Sequence, residues 1–296
     1  MAKITKVKIG GGIYYYLEQS IRRGNKVSKK RIYLGKTIPS NVSELRNRFM
    51  KEMYAEEWYP AFDRIKKGYL AGLKRLPVIA RDKEIEVFMI EFTYDTQRIE
   101  GSKLSFRDTA QVLLEQTAPK GAHIHDIKEA EAHRRVFYEM LEYDRDLSLG
   151  IILKWHKELF EETKKTMAGE IRNFNVRITN SKFIPPNYVY MESMLGNFFA
   201  WYNKHKKEVH PVELAALAHL KFVTIHPFAD GNGRISRLIM NFILNKNRYP
   251  MLNIRYVNRR GYYTALERSQ LKNDEGIFLI WFFRKYLKEN KRYIPS

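Results

Sequence analysis

The segment Ile225-His226-Pro227-Phe228-Ala229-Asp230-Gly231-Asn232-Gly233-Arg234-Ile235-Ser236-Arg237 constrains this chain more than any other. An apolar, alanine-rich run at helical spacing, Val212 to Val223, precedes it. A second apolar-periodic run follows: Ile235, Leu238, Ile239, Phe242 and Ile243. The chain must therefore join two helices through a tight loop. Pro227 helps close the first helix, because its ring does not fit a regular ladder. Asp230-Gly231-Asn232-Gly233 is dense turn chemistry, with glycine supplying positive φ.

The loop opens onto a helix N-terminus, where free N–H groups and the positive dipole end favour an anion. Glycines let that backbone curl into a nest and let a phosphate approach. Arg234 and Arg237 stand three apart, share a helix face and can grip one polyphosphate. Asp230 is a hard oxygen ligand, suited to Mg²⁺ that also binds phosphate oxygens. His226 titrates near neutrality and suits proton abstraction from a hydroxyl. Taken singly, His226 is a helix-end histidine, Asp230 a turn residue and the arginines a solvated face. Only their joint arrangement points to phosphoryl or nucleotidyl transfer.

With those residues on the page, the segment resembles the signature of Fic-domain proteins, His-Pro-Phe-x-Asp-Gly-Asn-Gly-Arg-x-x-Arg, with every fixed position filled. The resemblance extends over roughly residues 80–290. It implies a mostly α fold, a Fic-type helical core with a β-hairpin flap. It implies AMP transfer from ATP, with Mg²⁺ on Asp230, to a Ser, Thr or Tyr hydroxyl of a target protein. His226 would be the base, and Asp230, Gly231, Asn232, Gly233, Arg234, Ile235, Ser236 and Arg237 would cradle the nucleotide, the Asn232 amide reaching a phosphate oxygen. Relatives with lysine in place of Gly233 resemble kinases instead. Removal of AMP from a modified protein uses the same residues and stays open.

Further matches lie outside the loop. Thr96-Gln97-Arg98-Ile99-Glu100-Gly101 resembles the family's inhibitory motif, Ser/Thr-x-x-x-Glu-Gly/Asn, on a helix expected near 84–101. The resemblance pairs Glu100 with Arg237, which would exclude the γ-phosphate and misplace the α-phosphate for in-line attack. Residues 172–186 read as short β-prone pieces around Asn180-Ser181-Lys182, leaving through Pro185-Pro186. They resemble the flap, which would hold the target segment by main-chain pairing, while Val176, Arg177, Ile178 and Thr179 lie over the nucleotide. Tyr262 and Tyr263 resemble residues that border the base. Gln270 stands where relatives often carry Asn, which leaves base specificity open.

Residues 1–40 lie outside the resemblance. Lys3, Lys6, Lys8, Arg22, Arg23, Lys26, Lys29, Lys30, Arg31 and Lys36 face only Glu18 on the acidic side. Two β-prone runs, Ile13 to Leu17 and Arg31 to Leu34, with a turn at Arg23-Gly24-Asn25-Lys26, predict a small basic β-hairpin. It could contact nucleic acid, or an acidic partner, or serve as a decorated hairpin. A helix over 41–76, flanked at its end by Gly68 and Gly72, links it to the rest. The expected organisation is 1–40, 41–79 and 80–290. The chain carries 53 Lys plus Arg against 33 Asp plus Glu, a net +20, which keeps a nucleic-acid partner in view. There is no cysteine, which excludes disulfides, thiolate nucleophiles and Cys-ligated zinc. No apolar run of about 18 residues and no signal-like N-terminus is evident, so no membrane contact and a cytoplasmic setting are expected. A homodimer is left open.

Overall fold

The structure is a computed structural model that describes residues 2–23 and 26–294. It divides into two compact units, Met1–Asp63 and Arg64–Ser296. No helix among the described residues is long and apolar enough to cross a membrane.

The first unit holds three antiparallel strands, β1 (Lys3–Ile9), β2 (Gly12–Arg23) and β3 (Lys26–Gly35), in the order β1-β2-β3. The expected hairpin thus gains a strand. Residues 3–9 had been a weak signal, because Ile4, Val7 and Ile9 do not alternate strictly with polar neighbours. Gly10 and Gly11 join β1 to β2 with φ of 54° and 78°, the left-handed pair that a two-residue hairpin turn demands. The turn expected at Gly24-Asn25 lies outside the described residues. A register shift at Tyr15/Tyr16 bends the β2–β3 ladder. Helix α1 (Val42–Glu57) covers one face of the sheet. Leu17 and Ala2 pack there with Phe49 and Met53, ringed by Ile32, Leu34, Val42 and Met50.

The expected single helix over 41–76 is two, α1 and α2 (Tyr59–Arg75), and α2 runs straight through Gly68 and Gly72. The unit boundary falls inside α2. Gly68 serves close packing: a Cβ there would overlap the Tyr293 carbonyl, whereas a Cβ at Gly72 would meet open space.

The second unit is helical: α3 (Val78–Ile99), α4 (Phe106–Ala110), α5 (Ile124–Glu142), α6 (Leu149–Phe160), α7 (Met191–His205), α8 (Pro211–Ile225), α9 (Asn232–Lys246), α10 (Arg259–Lys272) and α11 (Glu275–Glu289). Helices α8 and α9 form the central pair; α3, α5 and α6 pack on α9, and α7 and α11 on α8. Both central helices are buried nearly all round, as the density of apolar residues on every face requires. Pro211 starts α8 at a position where its missing N–H costs nothing. Ser105 and Asp108 form a reciprocal capping box on α4. Three histidines of this unit are fully buried, His133, His156 and His219, and two of them lie away from the α8–α9 loop. His133 Nδ1 lies 2.8 Å from the Thr93 hydroxyl. His219 stacks on Phe278, with Nε2 2.9 Å from the Tyr262 hydroxyl.

Two stability measurements test this packing. Gly72→Ala should raise the unfolding free energy measured in urea by up to about 1 kcal/mol through helix propensity. Gly68→Ala should lower it by about 1–3 kcal/mol through overpacking. Burial holds His133 and His219 down to about 3 from the ordinary 6.5. Their contribution is therefore complete above about pH 6.5 and is lost as pH falls, because only the unfolded chain takes up the protons. Stability should fall between about pH 7 and about pH 5, by on the order of 1–2 kcal/mol per histidine. His219→Gln should flatten that slope in urea titrations at each pH.

Candidate active site

The site is assembled where α8 ends and α9 begins. His226 caps α8 in the left-handed conformation, φ 56° and ψ 57°, which is uncommon for a residue with a side chain. Its main chain is pinned from outside the loop. Arg172, buried at 4% exposure, donates from Nε to the His226 carbonyl at 2.8 Å. The Arg172 amide donates to the Pro227 carbonyl at 2.9 Å. The His226 Nδ1 lies 3.2 Å from the Val223 carbonyl; donation there puts the lone pair on Nε2. Burial lowers its pKa, so the ring is neutral at pH 7.

After His226 the loop is held shut by its own polar groups. Phe228 N–H donates to the Asn232 Oδ1 at 2.9 Å, and Asn232 Nδ2 returns to the Phe228 carbonyl at 2.8 Å. The Asn232 amide, expected to reach a phosphate oxygen, thus spends its Oδ1 and one of its two Nδ2 hydrogens inside the loop. Phe228 stacks on His156 with centroids 3.7 Å apart. His156 in turn sits 3.0 Å from the Asp230 carbonyl through Nε2 and accepts from Gly169 N–H at 2.9 Å through Nδ1. Gly231, at φ 82°, starts α9 where a Cβ would overlap the Phe160 ring.

Two cationic side chains and one backbone N–H converge on Asp230. Its carboxylate accepts from Gly231 N–H at 2.6 Å, from Lys164 Nζ at 2.7 Å and from Arg234 Nη2 at 3.2 Å. Burial would raise this carboxyl, but Arg234, Lys164 and the Gly231 N–H hold it well below the usual carboxylate range. Its side chain stays 40% exposed. Arg234 also pairs with Glu129 of α5, bonds Gln97 at 3.3 Å and lies 4.4 Å over the Phe160 ring. Glu129 pairs with Lys164 at 2.8 Å. Among the described residues no group of three or more His, Cys, Asp or Glu could hold a metal. A divalent ion on Asp230 would thus draw its other ligands from phosphate oxygens and water, a set that fits Mg²⁺.

One turn further along α9, Arg237 is 1% exposed. Its Nη2 lies 2.6 Å from Glu100 Oε1 and 3.3 Å from the Thr96 carbonyl. Its Nε bonds the Thr96 hydroxyl, and Nη1 reaches the Tyr262 hydroxyl at 3.5 Å. Glu100 is delivered by the end of α3. Ser102 N–H bonds the Gln97 carbonyl at 3.0 Å, Gly101 N–H bonds Arg98 at 3.3 Å, and Gly101 takes φ 106°. This Schellman stop fixes where the carboxylate lands. It lands beside Gly233, where any Cβ would overlap Glu100 Oε1.

The other expected residues fall nearby or on the flap. Ile235 and Ser236 are fully buried, and Ser236 bonds the Asn232 carbonyl at 2.6 Å. Tyr263 donates to the Ile99 carbonyl at 3.0 Å. Gln270 Nε2 bonds Thr224 Oγ1 at 3.1 Å, on the wall of a cavity of about 400 Å³ beside Trp201. Val176, Arg177, Ile178 and Thr179 lead into a tight turn, with Ser181 N–H on the Ile178 carbonyl at 3.2 Å and Asn180 left-handed. The flap carries no strand ladder among the described residues; its turn is tied to Glu267 through Ser181 Oγ at 3.0 Å. Sequence reasoning missed Gln97, Glu129, His156 and Lys164. Only Glu129 left a sign, a carboxylate among the apolar positions of an amphipathic helix.

Comparison with known proteins agrees with this geometry. Residues 146–244 match the Fic/DOC family. A protein adenylyltransferase Fic from Nematostella vectensis is 30% identical over 192 residues, covering 63% of this chain and 44% of that protein. Protein adenylyltransferase fic-1 from Caenorhabditis elegans is 31% identical over 186 residues, 61% of this chain and 36% of that protein. The chain thus spans less than half the length of these curated relatives. The solved Fic-1 (aa134–508) from C. elegans superposes with TM-score 0.68 at 26% identity, over 86% of this chain and 77% of that one. A Fic domain containing signaling protein from Bacteroides thetaiotaomicron shares the fold, with TM-score 0.72 at 24% identity over 79% of this chain and 95% of that one. The loop, the helices that hold it and these likenesses lead to one assignment: the chain carries a domain of the Fic/DOC family.

Proposed function

We propose that this chain transfers AMP from ATP to a Ser, Thr or Tyr hydroxyl of a target protein, and that Glu100 holds the activity down. The observation that carries the reading is the Glu100–Arg237 ion pair at 2.6 Å, set against the glycine-lined start of α9. The neutral His226, with its lone pair on Nε2, takes the proton of the attacking hydroxyl. That oxygen forms a bond to the α-phosphorus, and diphosphate leaves. The Asn232 and Gly233 N–H groups and the positive end of α9 face the growing negative charge, the Gly231 N–H being spent on Asp230. Asp230 is the residue to hold Mg²⁺, which when bound neutralises phosphate charge. Gly233 leaves the nest open for the α-phosphate.

Arg237 is the natural partner of the γ-phosphate, and in this structure a carboxylate already occupies it. A polyphosphate must displace Glu100 or bind out of line. Thr96 and Tyr262 hold the guanidinium in place in either case. The flap, anchored by Arg172 to His226, Phe174 and Pro186, is the edge on which a target segment docks. The reverse reaction is the second reading: Glu100, placed beside Gly233 at the start of α9, would orient a water for removal of AMP.

Purified protein incubated with α-labelled ATP tests the assignment. Glu100→Gly should raise self-labelling at least about tenfold, the scale set by freeing one buried charge pair. His226→Ala in the same background should remove it by about a hundredfold or more. Equal labelling with and without Glu100 would overturn the inhibitory role; labelling that survives His226→Ala would overturn the base. If Glu100→Gly instead slows release of AMP from a labelled target, the reverse reading stands.

A further inference from the structure

We propose that the three-stranded sheet of the first unit binds single-stranded nucleic acid on the face turned away from α1. This inference is independent of the catalytic reading.

The two faces of the sheet differ in kind. One buries Leu17, Ile32 and Leu34 against α1. On the other, Tyr14, Tyr16 and Tyr33 form a contiguous patch. Tyr33 lies 5.3 Å from Tyr16 and 6.2 Å from Tyr14 between ring centroids. Tyr33 is 55% exposed, and the Arg31 guanidinium sits 5.4 Å above the Tyr16 ring. Tyr14 and Tyr16 are half-buried beside the exposed Tyr33, and such a group of rings on a sheet, unlike a scattered tyrosine, offers flat surface to an unpaired base. Guanidinium on a ring adds a cation where the backbone of a stacked strand runs.

Charge complementarity names the occupant. Residues 1–40 contain ten Lys and Arg and one acid, Glu18. That acid is already neutralised by Lys29 at 2.9 Å. Lys3 pairs across from Glu18 in the ladder, so it lies on the tyrosine face. A polyanion alone would satisfy the charge; the tyrosines select one that carries unpaired bases. A duplex keeps its bases stacked inside and offers the sheet only phosphate and groove edges.

Fluorescence anisotropy of a labelled single-stranded DNA of about twelve nucleotides, titrated with the full chain, tests this. Binding should saturate and weaken with salt, with a slope of about −0.7 per phosphate contacted. Tyr33→Ala should weaken it by about tenfold, while Tyr33→Phe, which keeps the ring, should bind like the parent. Lys3→Ala should flatten the salt slope by about 0.7. Far-ultraviolet circular dichroism of each variant checks that the fold persists; if Tyr33→Ala misfolds, the Phe variant and Lys3→Ala still decide. Absent binding at low salt, an unchanged Tyr33→Ala, equal affinity for the matching duplex, or equal competition by polyglutamate would each overturn the proposal.

Discussion

A guanidinium enclosed by protein has to be met by acceptors, since an unpaired buried charge is among the most expensive things a fold can contain. Arg237 sits in that position, and the surrounding structure is arranged to satisfy it. Thr96 supplies a hydroxyl and a carbonyl, Tyr262 a phenol, and Glu100 the compensating charge. These acceptors come from α3 and α10, so the cation ties distant parts of the chain to the first turns of α9. Buried His219 extends the network behind Tyr262. The neutral acceptors hold the guanidinium whatever anion meets it, and under the proposed function a polyphosphate and the Glu100 carboxylate are alternatives for one seat.

Arg234 shows the same logic one turn earlier, with a different result. Its two terminal nitrogens are taken up by Asp230, Glu129 and Gln97, and the Phe160 ring backs it, while its buried Nε makes no hydrogen bond. Lys164 bridges the two carboxylates from the solvent side. The cluster keeps Asp230 ionised while leaving part of it accessible. Under the proposed function this is the state a carboxylate needs to receive a cation that arrives with its own phosphate ligands.

The sequence carried the local chemistry of this site well, because that chemistry is contiguous. The loop, the helix start and the arginine pair fall within thirteen residues, where turn residues and helical spacing leave few alternatives. The helical class followed from apolar periodicity. What escaped was set by contacts between residues far apart in the chain. Glu129 meets Arg234 across 105 positions and His156 meets Asp230 across 74, and no spacing rule connects them. The continuity of α2 through Gly68 and Gly72 was hidden because a glycine that ends a helix and one that makes room for a neighbour look alike. The short strand β1 was missed because its pairing with β2, rather than its own pattern, makes it a strand.

Arg172 reaches the carbonyls of His226, Phe174 and Pro186 with a single planar fork. Both roots of the flap and the imidazole's own backbone are thus moored to one post. The stretch between those roots can lengthen, shorten or change its lettering without unsettling the backbone that carries the His226 ring. Variation in the flap is thereby mechanically decoupled from the placement of that imidazole.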